Sequence, residues 1–254
     1  MHSFFGKRIK RHRVPKEATS NGSVEYGDLS RRLVAVLEPM GASAEAYRSL
    51  RTNLLYSFVD TPSKVIVVTS AGPQEGKSTT CANLGVLMSQ ADKRTLILDC
   101  DLRKPVMHKF FQVRNEEGIV DILAGVRSLQ EVWREPLPGL MLVTVGRVPP
   151  NPAELLGSQR LAEFVAGVRE EFDYILVDAP PVGLVTDAAV LAPQGDGVLL
   201  VLDAQHTRKG ALRRSIRSLH AVGANIIGTV MNNVTASEGY YYYRNNSYTY
   251  HQED

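Results

Sequence analysis

The feature that most restricts how this chain can fold is a set of short runs that stay apolar at nearly every position. They are Val65-Ile66-Val67-Val68, Leu96-Ile97-Leu98, Leu140-Met141-Leu142-Val143, Ile175-Leu176-Val177, Val198-Leu199-Leu200-Val201-Leu202 and Ile226-Ile227 continuing to Met231. A strand with one wet face alternates apolar and polar residues; a strand that does not alternate must be covered on both faces. Between these runs lie segments with helical spacing, at about 42–58, 77–90, 153–169 and 208–221. Strands alternating with helices predict an α/β fold: a doubly wound, mostly parallel sheet with helices on both faces.

A chain of 254 residues fits one large domain with tails. Residues 1–40 show no sustained period and read as a basic N-terminal arm, rich in Lys7, Arg8, Lys10, Arg11, Arg13 and Lys16. Residues 41–235 form the domain, and 236–254 a polar, tyrosine-rich tail. Lys and Arg number 29 against 27 Asp and Glu, a balance that does not suggest a nucleic-acid partner. Two cysteines, Cys81 and Cys100, cannot make a disulfide framework and suit a reducing compartment. No run approaches the ~18 apolar residues of a membrane span.

The first strand runs into Ala71-Gly72-Pro73-Gln74-Glu75-Gly76-Lys77-Ser78-Thr79, which then opens a helix. Loop amides at a helix N-terminus converge on an anion, and the helix dipole adds partial positive charge. In such a phosphate loop (P-loop), Lys77 reaches the outer phosphates and the Ser78 hydroxyl ligates Mg²⁺. Ligands of doubly wound sheets sit at the carboxyl ends of the strands. Two strands end there in acid: Asp99-Cys100-Asp101-Leu102-Arg103 and Asp178-Ala179-Pro180-Pro181. One such aspartate also reads as a helix cap. Three of them beside a P-loop point to metal binding and to acceptance of a proton from an attacking hydroxyl.

In combination, the P-loop, the run Ile97 to Arg103 and the run Val177 to Pro181 resemble the bacterial tyrosine kinases. These are autokinases associated with polysaccharide co-polymerases and related to the MinD/ParA branch of P-loop ATPases, which name the three motifs Walker A, A′ and B. Glu45, Arg48 and Arg51 resemble the family's Glu-x-x-Arg-x-x-Arg oligomerisation helix. The stretch Asn151-Pro152-Ala153-Glu154-Leu155-Leu156 and the tyrosines at the end also fit. Two positions depart from the pattern: Ala179 stands where the family usually has Ser or Thr, and Gln74 replaces a common Gly.

The resemblance implies ATP and Mg²⁺ as cofactors. Gly72, Pro73, Gln74, Glu75, Gly76, Lys77, Ser78 and Thr79 are expected to hold the phosphates, with Asn232 at the adenine. Ser78, Asp101 and Asp178 are expected around the metal. Lys77, Asp99, Asp101 and Arg103 are expected to be catalytic, with Asp99 orienting or deprotonating a tyrosine hydroxyl. Tyr240, Tyr241, Tyr242, Tyr243, Tyr248 and Tyr250 are the expected acceptors, phosphorylated between neighbours in a ring-like homo-oligomer. A membrane-spanning polysaccharide chain-length regulator and a tyrosine phosphatase are the other expected partners, which would place the chain in the cytoplasm at the inner face of the membrane. The competing readings are a MinD/ParA-like ATPase switch and an ATP-binding scaffold of low turnover. Against the switch, Ser70-Ala71-Gly72 lacks the early Lys of such proteins.

Overall fold

The structure is a computed structural model that describes residues 29–56 and 64–235. Seven strands form one sheet: β1 (Val65–Ser70), β2 (Thr95–Asp99), β3 (Arg134–Leu137), β4 (Leu140–Val143), β5 (Tyr174–Asp178), β6 (Gly197–Asp203) and β7 (Ile226–Asn232). Their spatial order is β3-β4-β2-β5-β1-β6-β7. All pairings are parallel except β3 with β4. The uniformly apolar runs divide their residues by parity. Val65, Val67, Leu96, Leu98, Ile175 and Val177 enter one core, while Ile66, Val68, Ile97 and Leu176 enter the other. Each face therefore has its own hydrophobic layer, as side-chain alternation along a strand requires.

Helices α1 (Val34–Leu37), α2 (Ala42–Tyr56), α3 (Lys77–Gln90) and α4 (Met107–Phe110) contribute to one of these layers. The other takes side chains from α5 (Ile119–Ala124), α6 (Leu129–Val132), α7 (Pro152–Leu156), α8 (Gln159–Arg169), α9 (Asp187–Leu191) and α10 (Lys209–Ala221). Helix α3 is buried at every position except Thr79 and Gln90. It lies between the sheet and the outer helices α1 and α2, so it needs no polar face.

Three elements differ from the sequence reading. Residues 29–40, assigned to the arm, carry α1 with Leu33 and Ala35 buried. Asn83 on α3 pins them, accepting the Ala35 N–H at 2.9 Å and donating to the Arg32 carbonyl at 2.8 Å. Four helical residues are too few to show a period, so only the patch Leu33 to Leu37 was visible. The helix expected over 153–169 is two helices, parted at Gly157-Ser158, where the Ser158 hydroxyl caps α8 through the Leu161 N–H. Strand β3 was missed because Arg134-Glu135-Pro136-Leu137 has no apolar run; proline is tolerated at such a sheet edge.

The strand order also positions the site. Chain leaving β1 goes through α3 to β2, and chain leaving β5 goes to β6 on the far side of β1. The connections part at β5 and β1, where a doubly wound sheet opens a crevice at its carboxyl edge. Asp99 and Asp178 are direct partners in the β2–β5 register, and Asp178 pairs with Val68 of β1.

Candidate nucleotide and phosphoryl-transfer site

Six residues, Ala71 to Gly76, turn the chain from β1 into α3. The turn needs left-handed backbone at Gln74 (φ 61°) and Gly76 (φ 93°). At Gly76 a side chain would be strained, and its Cβ would collide with the Asn232 amide. Gln74 adopts a conformation that glycine tolerates better, so the departure noted in the sequence carries a backbone strain that glycine would not. Glu75 closes the loop: its carboxylate accepts the Gly72 N–H at 2.8 Å and the Thr207 hydroxyl at 2.5 Å. Asn232 braces the loop, donating from Nδ2 to the Glu75 carbonyl at 2.9 Å.

Lys77 and Ser78, the first residues of α3, meet the strand-end acids. Lys77 Nζ lies 2.9 Å from Asp101 Oδ2 and 3.1 Å from Asp178 Oδ1, and Ser78 Oγ donates to Asp178 Oδ2 at 2.7 Å. Burial works to lower the Lys77 pKa, but Asp178 and Asp101 outweigh it and hold the ammonium protonated well above the ordinary lysine value. Burial dominates at Asp178 and raises its pKa, with Lys77 and Ser78 offsetting part of the effect. Among the described residues no group of three or more His, Cys, Asp or Glu stands as a ready metal cage. The Lys77 ammonium instead marks where positive charge gathers the acids. Two carboxylates and a hydroxyl within reach of that point are hard oxygen donors and fit Mg²⁺.

Toward β6 and β7 lies a cavity of about 530 Å³, lined by residues 72–75 of the loop and by Asp203, His206, Arg208, Ala211 and Asn233. Asp203 organises its wall, accepting from the Gln205 and His206 amides at 2.8 and 3.0 Å and from the Asn233 side chain at 2.6 Å. Burial works against that charge, but these hydrogen bonds lower the Asp203 pKa to about 2. The sequence reading put Asn232 at the base. The structure turns the Asn232 amide under the loop and gives Asn233 to the cavity. Asp203, Thr207 and Asn233 were missed, although Asp203 ends an apolar strand just as Asp99 and Asp178 do.

Toward β2, the Asp99 carboxylate accepts the backbone N–H groups of Asp101, Val106 and Met107 at 3.2, 3.3 and 3.1 Å, and the residue has no exposed surface. Burial, then the nearby Asp178, push its pKa well above the carboxylate range. Asp99 thus ties down the turn that carries Asp101. Arg103 is not in the Lys77 cluster; its Nε and Nη2 pair with both oxygens of Asp187 at 2.8 and 3.0 Å. Ala179 is fully buried in the apolar core, so no hydroxyl stands beside the cluster there.

On α2, Glu45 and Arg48 pair with each other at 2.7 Å, and Arg51 donates to the Leu87 carbonyl of α3 at 3.0 Å. The apolar spacing of this helix is met by Ala44, Tyr47, Leu50 and Leu54; Ala46 and Tyr56 are exposed. The six tail tyrosines lie outside the described residues.

A P-loop at a switch point, with acids from two neighbouring strands around its lysine, defines a nucleotide-binding α/β protein of the P-loop class. A family profile described as an AAA domain matches residues 63–227. The tyrosine-protein kinase YwqD of Bacillus subtilis is 36% identical over 84% of this chain and 92% of its own length. The putative tyrosine-protein kinase EpsB of Ralstonia solanacearum is 38% identical over 79% of this chain, which spans only 27% of that longer relative. The solved kinase domain of Escherichia coli tyrosine kinase ETK is 31% identical, with a TM-score of 0.77 over 89% of this chain and 87% of that one. The chain belongs to the bacterial tyrosine-kinase family. A MinD protein from Pyrococcus horikoshii, at 22% identity and TM-score 0.57, shares the fold alone.

Proposed function

We propose that this chain is an ATP-dependent protein-tyrosine kinase whose acceptors include Tyr240, Tyr241, Tyr242, Tyr243, Tyr248 and Tyr250. The observation that carries the reading is the Lys77–Asp101–Asp178–Ser78 cluster, set between a cavity on one side and the Asp99 to Arg103 turn on the other. ATP places its nucleoside in the cavity, with its phosphates along the amides of the 72–79 loop. Bound Mg²⁺ would neutralise phosphate charge beside Ser78, Asp101 and Asp178. Lys77, held between Asp101 and Asp178, stabilises charge on the transferring group. The tyrosine oxygen attacks the γ-phosphorus, the bond to the bridging oxygen breaks, and ADP departs. Asp101, 5% exposed, accepts the tyrosine proton, while Asp99 holds the turn with its oxygens occupied by backbone amides. This moves the proton-accepting role expected of Asp99 from sequence to Asp101.

The resemblance supports the wider setting: a ring-like assembly through α2, a membrane-spanning chain-length regulator that brings the chain to the inner face of the membrane, a phosphatase that resets it, and control of exopolysaccharide synthesis and export. Among the described residues no helix is long and apolar enough to cross a membrane. Incubation with MgATP followed by mass spectrometry tests the central claim. Phosphate on residues 240–250 is expected; its absence in material that hydrolyses ATP defeats the autokinase reading and leaves an ATPase.

A further inference from the structure

The Arg103–Asp187 pair is a two-bond ion pair at the mouth of the site that the catalytic scheme does not use. Asp187 has no exposed surface, sits in the first turn of α9, and is gripped by the Nε edge of the guanidinium. Arg103 remains 43% exposed at its side chain, and its Nη1 has no part in the pair. A guanidinium carries five donors in a fixed fork, so a carboxylate on one edge sets the direction of the others.

The setting gives this edge a direction. Arg103 lies two residues beyond Asp101, on the β2 side of the cluster, opposite the cavity walled by β6 and β7. The segment from Ala179 to Asp187 is fastened at both ends. Val182 N–H donates to the Ser70 carbonyl at 3.0 Å, beside the root of the P-loop, and Asp187 holds Arg103. Gly183 packs so closely on the Ala71 carbonyl that a Cβ would collide with it. The guanidinium is therefore fixed relative to the phosphate loop, although it touches neither Lys77 nor Asp178.

We propose that Asp187 is a positioning residue: it aims the free edge of Arg103 at an anionic group flanking the acceptor tyrosine. Arg103 thereby selects acceptor segments bearing a carboxylate or a phosphate next to the tyrosine. The tail offers both chemistries, since Glu238 stands two residues before Tyr240 and four tyrosines are consecutive. A phosphate placed on one tyrosine becomes the anion that guides its neighbour, and a charge-assisted bidentate contact is the strong kind available to a guanidinium. This rests on the kinase reading for the acceptor's identity, though not for its binding.

The test measures binding and turnover separately. A fluorescent peptide with the sequence of residues 236–254 is titrated by anisotropy into nucleotide-loaded wild type, Asp187→Asn, Arg103→Lys and the neutral pair Arg103→Gln/Asp187→Asn. Parallel peptides carry Glu238→Gln or one phosphotyrosine, which separates the carboxylate from the phosphate source. The expected result is peptide binding weakened about fivefold or more in all three variants, with nucleotide affinity within about twofold of wild type. Removing one partner strands a charge, whereas the neutral pair strands none and should melt within a few degrees of wild type. A purely structural bridge predicts that the neutral pair restores peptide binding together with melting temperature. That outcome, or unchanged peptide affinity in Asp187→Asn, overturns the proposal even if wild type phosphorylates the peptide. Weakened peptide binding in the variants, when the wild type itself labels no tyrosine, would sustain it and remove the kinase reading instead.

Discussion

The two flanks of the Lys77 cluster are built from different interactions. On the β6–β7 side, Glu75, Thr207, Asp203 and Asn233 are joined by hydrogen bonds, nearly all of them to neutral donors. On the β2 side, Asp101 and Asp187 make ion pairs with Lys77 and Arg103, and the carboxyl groups of Asp99, Asp101 and Asp187 are all buried. A wall whose carboxylates are satisfied by neutral donors can shape a cavity for an uncharged base and sugar without strong dependence on pH between 5 and 8. A buried ionic wall responds to protonation and to incoming charge, because desolvation magnifies both. The donor side of the proposed reaction is thus formed by shape, and the acceptor side by electrostatics.

The largest expected effect falls on the cluster that both flanks share. Lys77→Met should cut phosphoryl transfer by about a thousandfold or more; near-normal MgATP turnover in that variant would break the comparison at its centre. Next comes the nucleoside flank. Asp203→Ala removes the acceptor that orders residues 203–207 and Asn233, so affinity for adenine nucleotides should fall about tenfold by calorimetry. Acceptor-peptide binding should be untouched, and a matching loss there would mean that the flanks are not separate.

A smaller effect distinguishes the flanks by pH. Asp99 has a folded-state pKa raised above its unfolded value, so the folded protein holds more protons than the unfolded one across that interval. Stability from this group is therefore greatest at low pH and declines as pH rises toward the folded pKa. Asp203 is the opposite case. Its pKa is depressed to about 2, so its contribution is present above the unfolded value and lost only as pH falls through about 2. Between pH 5 and 8 the melting temperature of wild type relative to Asp99→Asn should fall with rising pH, whereas wild type relative to Asp203→Asn should stay flat. Scanning fluorimetry decides it, and equal slopes would deny the contrast.

The smallest effect on the monomer is expected at α2. The Glu45–Arg48 pair is exposed, and such pairs contribute less than ~1 kcal/mol to stability. Arg48→Glu, which leaves the Arg51–Leu87 hydrogen bond in place, should change melting temperature little while dissociating an assembly built on that helix, as read by light scattering. An unchanged mass would count against α2 as the contact.

Much of this architecture was readable before any coordinate. The apolar runs gave strands of the right parity for a two-faced sheet; α3 covers the 77–90 expected of it, and β2 and β5 extend their apolar runs by one residue at each end. Lys77, Ser78, Asp101 and Asp178 could be grouped in advance because the P-loop and strand-end acids are local patterns with fixed chemical roles. What escaped was set by contacts distant in sequence. Arg103 looked free for phosphate because nothing in its neighbourhood announces Asp187, 84 residues away. Asn232 and Asn233 are adjacent and alike, yet Asn232 ends β7 under the P-loop, while left-handed backbone at Asn233 (φ 55°) goes with a side chain on the Asp203 wall of the cavity.

The sequence alone determined which groups could handle a triphosphate, because periodicity, glycine placement and side-chain chemistry are properties of short segments. Only the tertiary structure decided how those groups divide the work. Strand order set Asp203 and Asn233 on one side of Lys77 and Arg103 with Asp187 on the other. Burial then fixed which carboxylates are engaged and which remain open to an incoming group, since charge and desolvation depend on every element packed around them.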